Sequence, residues 1–306
     1  MEQARILVTG GAGFIGSNIA NELAKRNDVI AIDDCYLGHP ENLTDDVEFS
    51  ERSVLDNDLP TNVDVVIHLA ALSSYGMHED NSTQGTRVNV EGFVNVVEQA
   101  QQDGCETVVY ASTSSIYGSQ TEPSSENMEV MASTAYEASK LARERYAEYF
   151  STHHNISMCG LRLFSVYQGY DGAEEHKDEY ANVIAQFADN IARGHPPELY
   201  DDGTQTRDFI YITDVVRAFE MAAKHELDGI YNIGTGRRVS FNELVKMLNE
   251  ELGTDIKPEY VENPIPDDIY IRDTCADSTK FTNATGWNPE IPLETGLKRV
   301  CSAYTE

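Results

Sequence analysis

Cysteine and basic side chains are both scarce in this chain of 306 residues. The five cysteines are scattered without a C-x-x-C pair, so neither a disulfide framework nor a zinc site is expected, and no metal is predicted. No apolar run approaches membrane-spanning length, and the N-terminus lacks the charged-then-apolar pattern of a secretion signal. The expectation is a cytoplasmic protein without membrane contact.

The shortage of positive charge is extreme. The chain has 22 Lys and Arg against 52 Asp and Glu, which gives a formal net charge of −30. This sign disfavours nucleic acid as a partner. The acids are spread along the chain and the apolar periodicity is intact, so disorder is a poor explanation. Because concentrated salt would screen such self-repulsion, we hypothesise a halophilic protein.

The first 34 residues have the pattern strand, glycine turn, helix, strand, acid. Gly10 permits a tight turn, Gly13 lets a pyrophosphate approach the backbone, and Gly16 lets the helix pack on the sheet. The free N–H groups at the helix start favour the anionic diphosphate. Asp33 can accept hydrogen bonds from a ribose diol and would repel a 2′-phosphate. This stretch predicts a site for NAD rather than NADP.

Strands continue to alternate with helices as far as about residue 164. Strands are predicted at 47–50, 63–71, 107–111 and 157–162, and helices at 88–101 and 134–150. This order predicts an α/β fold, a Rossmann-type doubly wound parallel sheet with its ligand site beyond the carboxyl ends of the strands. Helices are also predicted at 182–193 and 241–252, and residues 258–266 are predicted to be irregular.

The looser second half predicts a smaller C-terminal substrate-binding lobe. We expect an NAD-binding domain over residues 1–167, with returning segments at about 207–236. The smaller lobe then comprises residues 168–206 and 237–306.

Tyr136 and Lys140 lie four residues apart at the start of a predicted helix, which places phenol and ammonium on one face. A nearby ammonium would lower the pKa of tyrosine from about 10 and make the phenolate accessible as a base. Hydroxyls at 112–115 follow the preceding strand, where they can donate to a substrate oxygen. Alone, the pair would indicate a helix-surface contact, and the hydroxyls a serine-rich turn.

Further motifs run in order along the chain: TGGAGFIG at 9–16, HLAA at 68–71, STSSIYG at 112–118, LRLF at 161–164, GTQTRDFI at 203–210 and YNIGTG at 231–236. With Tyr136 and Lys140, they make the chain similar to the extended short-chain dehydrogenase/reductase family, in its nucleotide-sugar epimerase branch. The resemblance implies bound NAD, a nucleoside-diphosphate sugar as substrate (a UDP-sugar foremost), and a homodimer paired through helices 88–101 and 134–150.

The resemblance also assigns roles. Tyr136 is the acid/base, Lys140 its electrostatic helper, and Thr113 a hydrogen-bond donor to the sugar. Substrate contacts are expected at Thr113, Ser165, Lys177, Arg207 and Arg272, the two arginines at the diphosphate. Cofactor contacts are expected at Gly10, Gly13, Phe14, Ile15, Gly16, Asp33, Asp34, Leu69, Ala70, Ala71, Asn89, Tyr136 and Lys140. The implied reaction is transient oxidation and hydride return, as in UDP-glucose 4-epimerase.

Several alternatives stay open. The segment 176–180, HKDEY, is similar to the ADP-heptose 6-epimerase branch, in which a lysine near the sugar would correspond to Lys177, although a solvated loop charge fits the same pattern. Sugar-nucleotide 4,6-dehydratases usually carry Asp-Glu where Ser114 and Ser115 stand, which disfavours dehydration. Ser165 stands where 4-epimerases usually have Asn. A non-catalytic NAD-binding sensor is the remaining alternative.

Overall fold

The computed structural model describes residues 2–79 and 81–305, without the side chain of Asp178. The strands are β1 Arg5–Thr9, β2 Asp28–Asp33, β3 Val47–Glu51, β4 Val65–His68, β5 Thr107–Thr113, β6 Ser157–Leu163, β7 Val166–Tyr167, β8 Glu198–Tyr200, β9 Thr206–Arg207, β10 Ile210–Tyr211, β11 Gly229–Ile233, β12 Val239–Ser240 and β13 Glu259–Val261. The α-helices are α1 Phe14–Ala24, α2 Tyr75–Glu79, α3 Ser82–Thr86, α4 Gly92–Asp103, α5 Ala135–His153, α6 Val183–Ala192, α7 Ile212–Lys224, α8 Phe241–Leu252, α9 Thr279–Thr285 and α10 Leu293–Ser302.

A seven-stranded sheet forms the centre of the fold, in the order β11-β6-β5-β4-β1-β2-β3. Every neighbouring pair in it is parallel. The strand order reverses between β1 and β4, and ligands of doubly wound sheets bind at such a switch point. The predicted Rossmann-type sheet is confirmed.

Two apolar layers cover the sheet. On one face, Ile19 and Leu23 of α1 join Phe219 of α7 in a core that also holds Val8 of β1. On the other face, Phe93 of α4 and the lower part of α5 pack against β4 and β5. A π-helical turn, Arg87–Glu91, precedes α4 inside the segment that was predicted as one helix. Because both faces are covered, the open edge at the strand carboxyl ends is where a ligand can enter.

The C-terminal third supplies a second, smaller group of elements. Helices α6, α8 and α10 pack on one another. Helix α8 spans the predicted 241–252, and Asn182 caps α6 by accepting from the Ile184 N–H at 3.0 Å. The prediction of irregular structure over 258–266 was wrong at Glu259–Val261, which forms β13 in parallel with β8. A three-residue strand has too little pattern of its own to be recognised without its distant partner.

Within the described ranges, no helix is both long and apolar enough to cross a bilayer. The same residues contain no group of three or more His, Cys, Asp or Glu side chains arranged to hold a metal ion.

Candidate active site

A cleft of about 840 Å³ runs along the carboxyl edge of the sheet. Its walls come from the β1–α1 turn, the ends of β2, β4 and β5, the start of α5 and several C-terminal loops. The predicted site residues that line it are Gly10, Gly13, Phe14, Ile15, Gly16, Asp33, Asp34, Leu69, Ala70, Ala71, Thr113, Tyr136, Lys140, Ser165, Lys177 and Arg207. The fold thus brings side chains from across the sequence to one cleft.

The glycine turn between β1 and α1, residues 10–16, forms a concave backbone surface that we call the cradle. Side chains at Gly10 and Gly16 would clash with its backbone. Gly10 has φ +66°, and a Cβ there would lie 2.7 Å from the Ala70 nitrogen. A Cβ on Gly16 would lie 2.0 Å from the Gly10 oxygen. Helix α1 has no side-chain cap at Gly13 and no acid in its first turn, so its N–H groups and dipole can receive an anion. These features fit the diphosphate of NAD.

Asp33 closes the adenosine end of this cradle. Its carboxylate accepts from the Ala12 N–H at 3.1 Å and the Cys35 N–H at 2.9 Å. Burial raises the pKa of this carboxyl, and the backbone donors oppose that shift. The same contacts fix the carboxylate beside the glycine turn, where a ribose diol would lie in a bound dinucleotide.

The segment after β4 is fixed by hydrogen bonds from buried side chains outside the cleft. Thr9 Oγ1 accepts from the Leu69 and Ala70 N–H groups at 3.2 and 3.3 Å. Asn89 is fully buried and is not part of the cleft wall; its side chain bonds the Leu72 N–H and carbonyl at 2.9 and 3.0 Å. Asn89 therefore acts on the wall through the backbone of Leu72.

Tyr136 and Lys140 stand in the first turns of α5, which Thr134 caps by accepting from the Glu137 N–H at 3.2 Å. The Lys140 ammonium is buried, donates to the Ala111 carbonyl at 3.2 Å, and lies 5.8 Å from the centre of the Tyr136 ring. Thr113 ends β5; its hydroxyl donates to Ser115 Oγ at 3.0 Å and also lowers the pKa of the neighbouring Tyr136 phenol. Phenol, ammonium and hydroxyl therefore meet at one point of the cleft.

The electrostatics of this point differ from the sequence-based expectation. Burial raises the pKa of Tyr136, while the hydrogen bond from Thr113 and the charge of Arg143 lower it. Burial also lowers the pKa of Lys140 well below its usual range. In this structure the cation that lowers the tyrosine pKa is thus Arg143, which the sequence analysis missed. Its signal was a spacing of seven from Tyr136, which returns to the same helix face.

A second missed neighbour is His78 of α2. Its ring packs edge-on against Tyr136 with 5.7 Å between ring centres. Its Nε2 lies 3.1 Å from the Leu72 carbonyl, and burial lowers the pKa of the imidazole. No sequence spacing links this residue to Tyr136, because α2 and α5 meet only in the fold.

The predicted substrate residues separate into two groups. Arg207 lines the cleft, where its Nη1 donates to the Thr206 and Arg272 carbonyls at 2.9 Å each. Lys177 also lines it, with its ammonium 5.8 Å from the centre of the Phe14 ring. Arg272 is not in the cleft wall; its guanidinium faces Thr204 and, at 3.3 Å, Asp202. A phosphate role for Arg272 stays a prediction that would need this guanidinium to turn.

Comparison with known proteins agrees with this geometry. The profile of the NAD dependent epimerase/dehydratase family matches residues 6–234. A putative UDP-glucose 4-epimerase from Methanocaldococcus jannaschii is 34% identical over 303 residues, with 96% of each chain covered.

Two solved structures are similar over nearly their whole length. A UDP-N-acetylglucosamine 4-epimerase from Methanobrevibacter ruminantium, in complex with UDP-N-acetylmuramic acid, has a TM-score of 0.91 at 27% identity, with 100% of this chain and 99% of that chain covered. A UDP-glucose 4-epimerase from Thermotoga maritima, with UDP-glucose, has a TM-score of 0.91 at 31% identity and 98% coverage of both. The resemblance drawn from the motifs is confirmed: the chain belongs to the NAD-dependent epimerase/dehydratase family and is an NAD-using enzyme of that family.

Proposed function

We propose that the protein epimerises a UDP-sugar, with interconversion of UDP-glucose and UDP-galactose as the leading reaction. The observation that carries this proposal is the meeting of Thr113, Tyr136 and Lys140 beside a dinucleotide cradle in one cleft. The relatives named above that are 4-epimerases of UDP-sugars support the choice of substrate class.

The roles of the chain's own residues follow from their contacts. The Tyr136 phenolate accepts the proton of one sugar hydroxyl and later returns it, and Thr113 donates to the sugar from the end of β5. Lys140 is fixed by the Ala111 carbonyl with its nitrogen 5.8 Å from the centre of the phenol ring, and we propose that it assists Tyr136 from there. NAD, when bound, supplies the acceptance and return of hydride. No net oxidation results, so the protein has to retain its cofactor through the cycle.

Positive charge in the cleft suits a diphosphate. The chain as a whole has a net charge of −30, yet Arg207 and Lys177 line this wall. We propose that Arg207 binds the sugar diphosphate and that Ser165 adds a hydrogen bond to the same substrate. Arg272 is proposed as a second phosphate contact only after its guanidinium leaves Asp202.

One observation favours a second candidate, a 6-epimerase acting on an ADP-heptose. Lys177 lies against Phe14 in the cleft wall rather than in solvent, and Glu174 beneath it fixes the loop by accepting from three backbone N–H groups. A lysine in that place can contact the sugar. Dehydration is disfavoured, because Ser114 and Ser115 line the cleft where an acid would be needed.

The test is turnover of UDP-glucose, UDP-N-acetylglucosamine, UDP-glucuronate and an ADP-heptose, with products separated by chromatography. We expect epimerisation of a UDP-sugar and no dehydrated product. Replacing Tyr136 with Phe should reduce kcat by about 10²-fold or more while NAD content stays constant. Tyr146→Phe is the matched control, since Tyr146 is 43% exposed on the same helix. Unchanged turnover in Tyr136→Phe would exclude the proposed base, and bound NAD without turnover of any sugar would favour the sensor.

We also propose the domain division, the oligomeric state and the cellular setting of the protein. Residues 1–167 and about 207–236 are proposed as the NAD-binding domain, because β11 returns to the main sheet. Residues 168–206 and 237–306 are proposed as the substrate lobe. A homodimer through α4 and α5 is supported by Tyr146 and Tyr149, which are exposed on α5. Ala147 on the same helix is buried in the core, so it is not part of the proposed interface. We propose a high-salt setting from the acidity, and a cytoplasmic one from the scattered cysteines, which suit a reducing compartment.

A further inference from the structure

Arg143 is a fully buried cation with no carboxylate beside it in the part of the chain that the structure describes. It stands on α5, where its Nη2 donates to the Ala70 carbonyl at 2.7 Å and its Nε donates to the Asn89 carbonyl. Its guanidinium carbon lies 5.8 Å from the centre of the Phe93 ring. Among the same described residues, Nη1 is buried and has no hydrogen-bond partner.

A second buried arginine, Arg162, serves for comparison because its charge is balanced by a carboxylate. Arg162 on β6 donates to Glu144 through Nε at 2.9 Å and Nη2 at 2.7 Å, which forms a buried ion pair. Among the described residues, the guanidinium of Arg143 contacts neutral carbonyls and an aromatic ring instead. Burial lowers its pKa to about 10, which leaves it cationic at neutral pH. A buried charge left unpaired is costly, and such groups concentrate at functional sites.

The position of this charge relates it to Tyr136. Residues 136, 140 and 143 share one face of α5, and seven residues of helix span about 10 Å. From the other elements, His78 of α2 and Thr113 of β5 face the phenol, and His68 of β4 lies near the two cations. Burial and the nearby cations lower the pKa of both histidines, so they add no charge at neutral pH. Glu137, which accepts from the Ser133 N–H at 2.7 Å, is the opposing negative group.

We propose that Arg143 is a positioning residue of the reaction, a second buried cation that favours the phenolate form of Tyr136. This inference rests on the proposed function in that it takes Tyr136 as the base. The competing role is structural only, because the same guanidinium ties Ala70 of the cleft wall to Asn89 of the π-helical turn. If these two hydrogen bonds act on structure alone, loss of Arg143 would alter substrate affinity or the stability of the fold, but it would not shift the pH at which Tyr136 titrates.

To estimate the size of the effect, we take the helical rise of about 10 Å between positions 136 and 143 as the separation of the two groups. A unit charge at about 10 Å, in surroundings with an effective dielectric constant of about 20, shifts a pKa by roughly one unit. Loss of the charge should therefore lower turnover about tenfold on the acid side of the pH profile and leave it near the wild-type value at high pH.

The experiment compares Arg143→Met, Arg143→Lys and Arg143→Gln in the NAD-loaded protein. The matched control is Arg145→Met, which removes the same charge from the same helix, at a position where Arg145 pairs with the surface Glu148. One readout is the pH profile of kcat with UDP-glucose. The other is titration of the Tyr136 phenolate band in the ultraviolet, obtained by subtracting the spectrum of the matching Tyr136→Phe variant. The second readout needs no turnover.

We expect Arg143→Met and Arg143→Gln to move both the acid limb and the phenolate titration upward by about one pH unit. Arg143→Lys and Arg145→Met should leave both in place. A uniform fall in kcat with unmoved titrations would overturn the inference and assign Arg143 a structural role. If Arg143→Met fails to fold, Arg143→Gln, which retains a donor, is judged by the same criteria. A shifted phenolate without turnover of any sugar would refute the proposed reaction and leave the electrostatic role standing.

Discussion

The carboxylate of Asp208 joins three segments of the chain, and replacing it with Asn should destabilise the fold. Asp208 is fully buried next to Arg207. One oxygen accepts from the Thr235 N–H at 2.9 Å and the Thr235 hydroxyl at 2.5 Å. The other accepts from the Gly236 N–H at 2.8 Å and the Ala276 N–H at 2.9 Å. These contacts bind the loop between β9 and β10 to the loop after β11 and to the segment before α9.

An Asn amide cannot reproduce this set. If its NH₂ replaces the first oxygen, the Thr235 hydroxyl can reverse, but the Thr235 N–H is left without an acceptor. An orphaned buried N–H costs about 1–3 kcal/mol, and the remaining bonds lose their charge assistance. Removal of a buried charge offsets part of this cost. We expect a net loss of about 3 kcal/mol, or a fall in Tm of roughly 5–10 °C.

The assay is urea unfolding and thermal melting in concentrated KCl, with Asp268→Asn as the control. Asp268 is exposed, so this control makes the same chemical change without the network and should leave Tm unchanged. A change below about 1 kcal/mol in Asp208→Asn, or a gain in stability, would show that desolvation of the carboxylate outweighs its four hydrogen bonds, and would refute the reasoning.

Two further predictions concern charge and assembly. If screening of the net charge of −30 is worth about 3 kcal/mol, Tm should be roughly 5–10 °C higher in about 2 M KCl than at low salt, and equal values would refute the halophile hypothesis. Light scattering should give twice the monomer mass of 34.0 kDa, and charged substitutions of Tyr146 and Tyr149 together should halve it; a monomeric wild type would exclude the proposed dimer.

The sequence by itself determined the parts that depend on local pattern. The β1–α1–β2 unit was readable because the turn at Gly10 and Gly16 tolerates no side chain and the acid at Asp33 follows at a fixed distance. Tyr136 and Lys140 were readable because a helix alone brings positions four apart together. A parallel sheet was predicted from the alternation of strands and helices, and every pair of neighbouring strands in the seven-stranded sheet is parallel.

Only the tertiary structure decided the rest. Lys177 became part of the cleft wall because its loop folds over Phe14, while Arg272 faces Asp202 instead. Strand β13 exists because β8, some sixty residues earlier, supplies its hydrogen bonds. The charge of Arg143 lowers the pKa of Tyr136. Arg143 is buried against Phe93 only because the helices pack on the sheet, and this burial cannot be read from spacing. Spacing along the sequence determines which residues share one face of a helix or strand. The packing of distant segments determines which residues that face contacts.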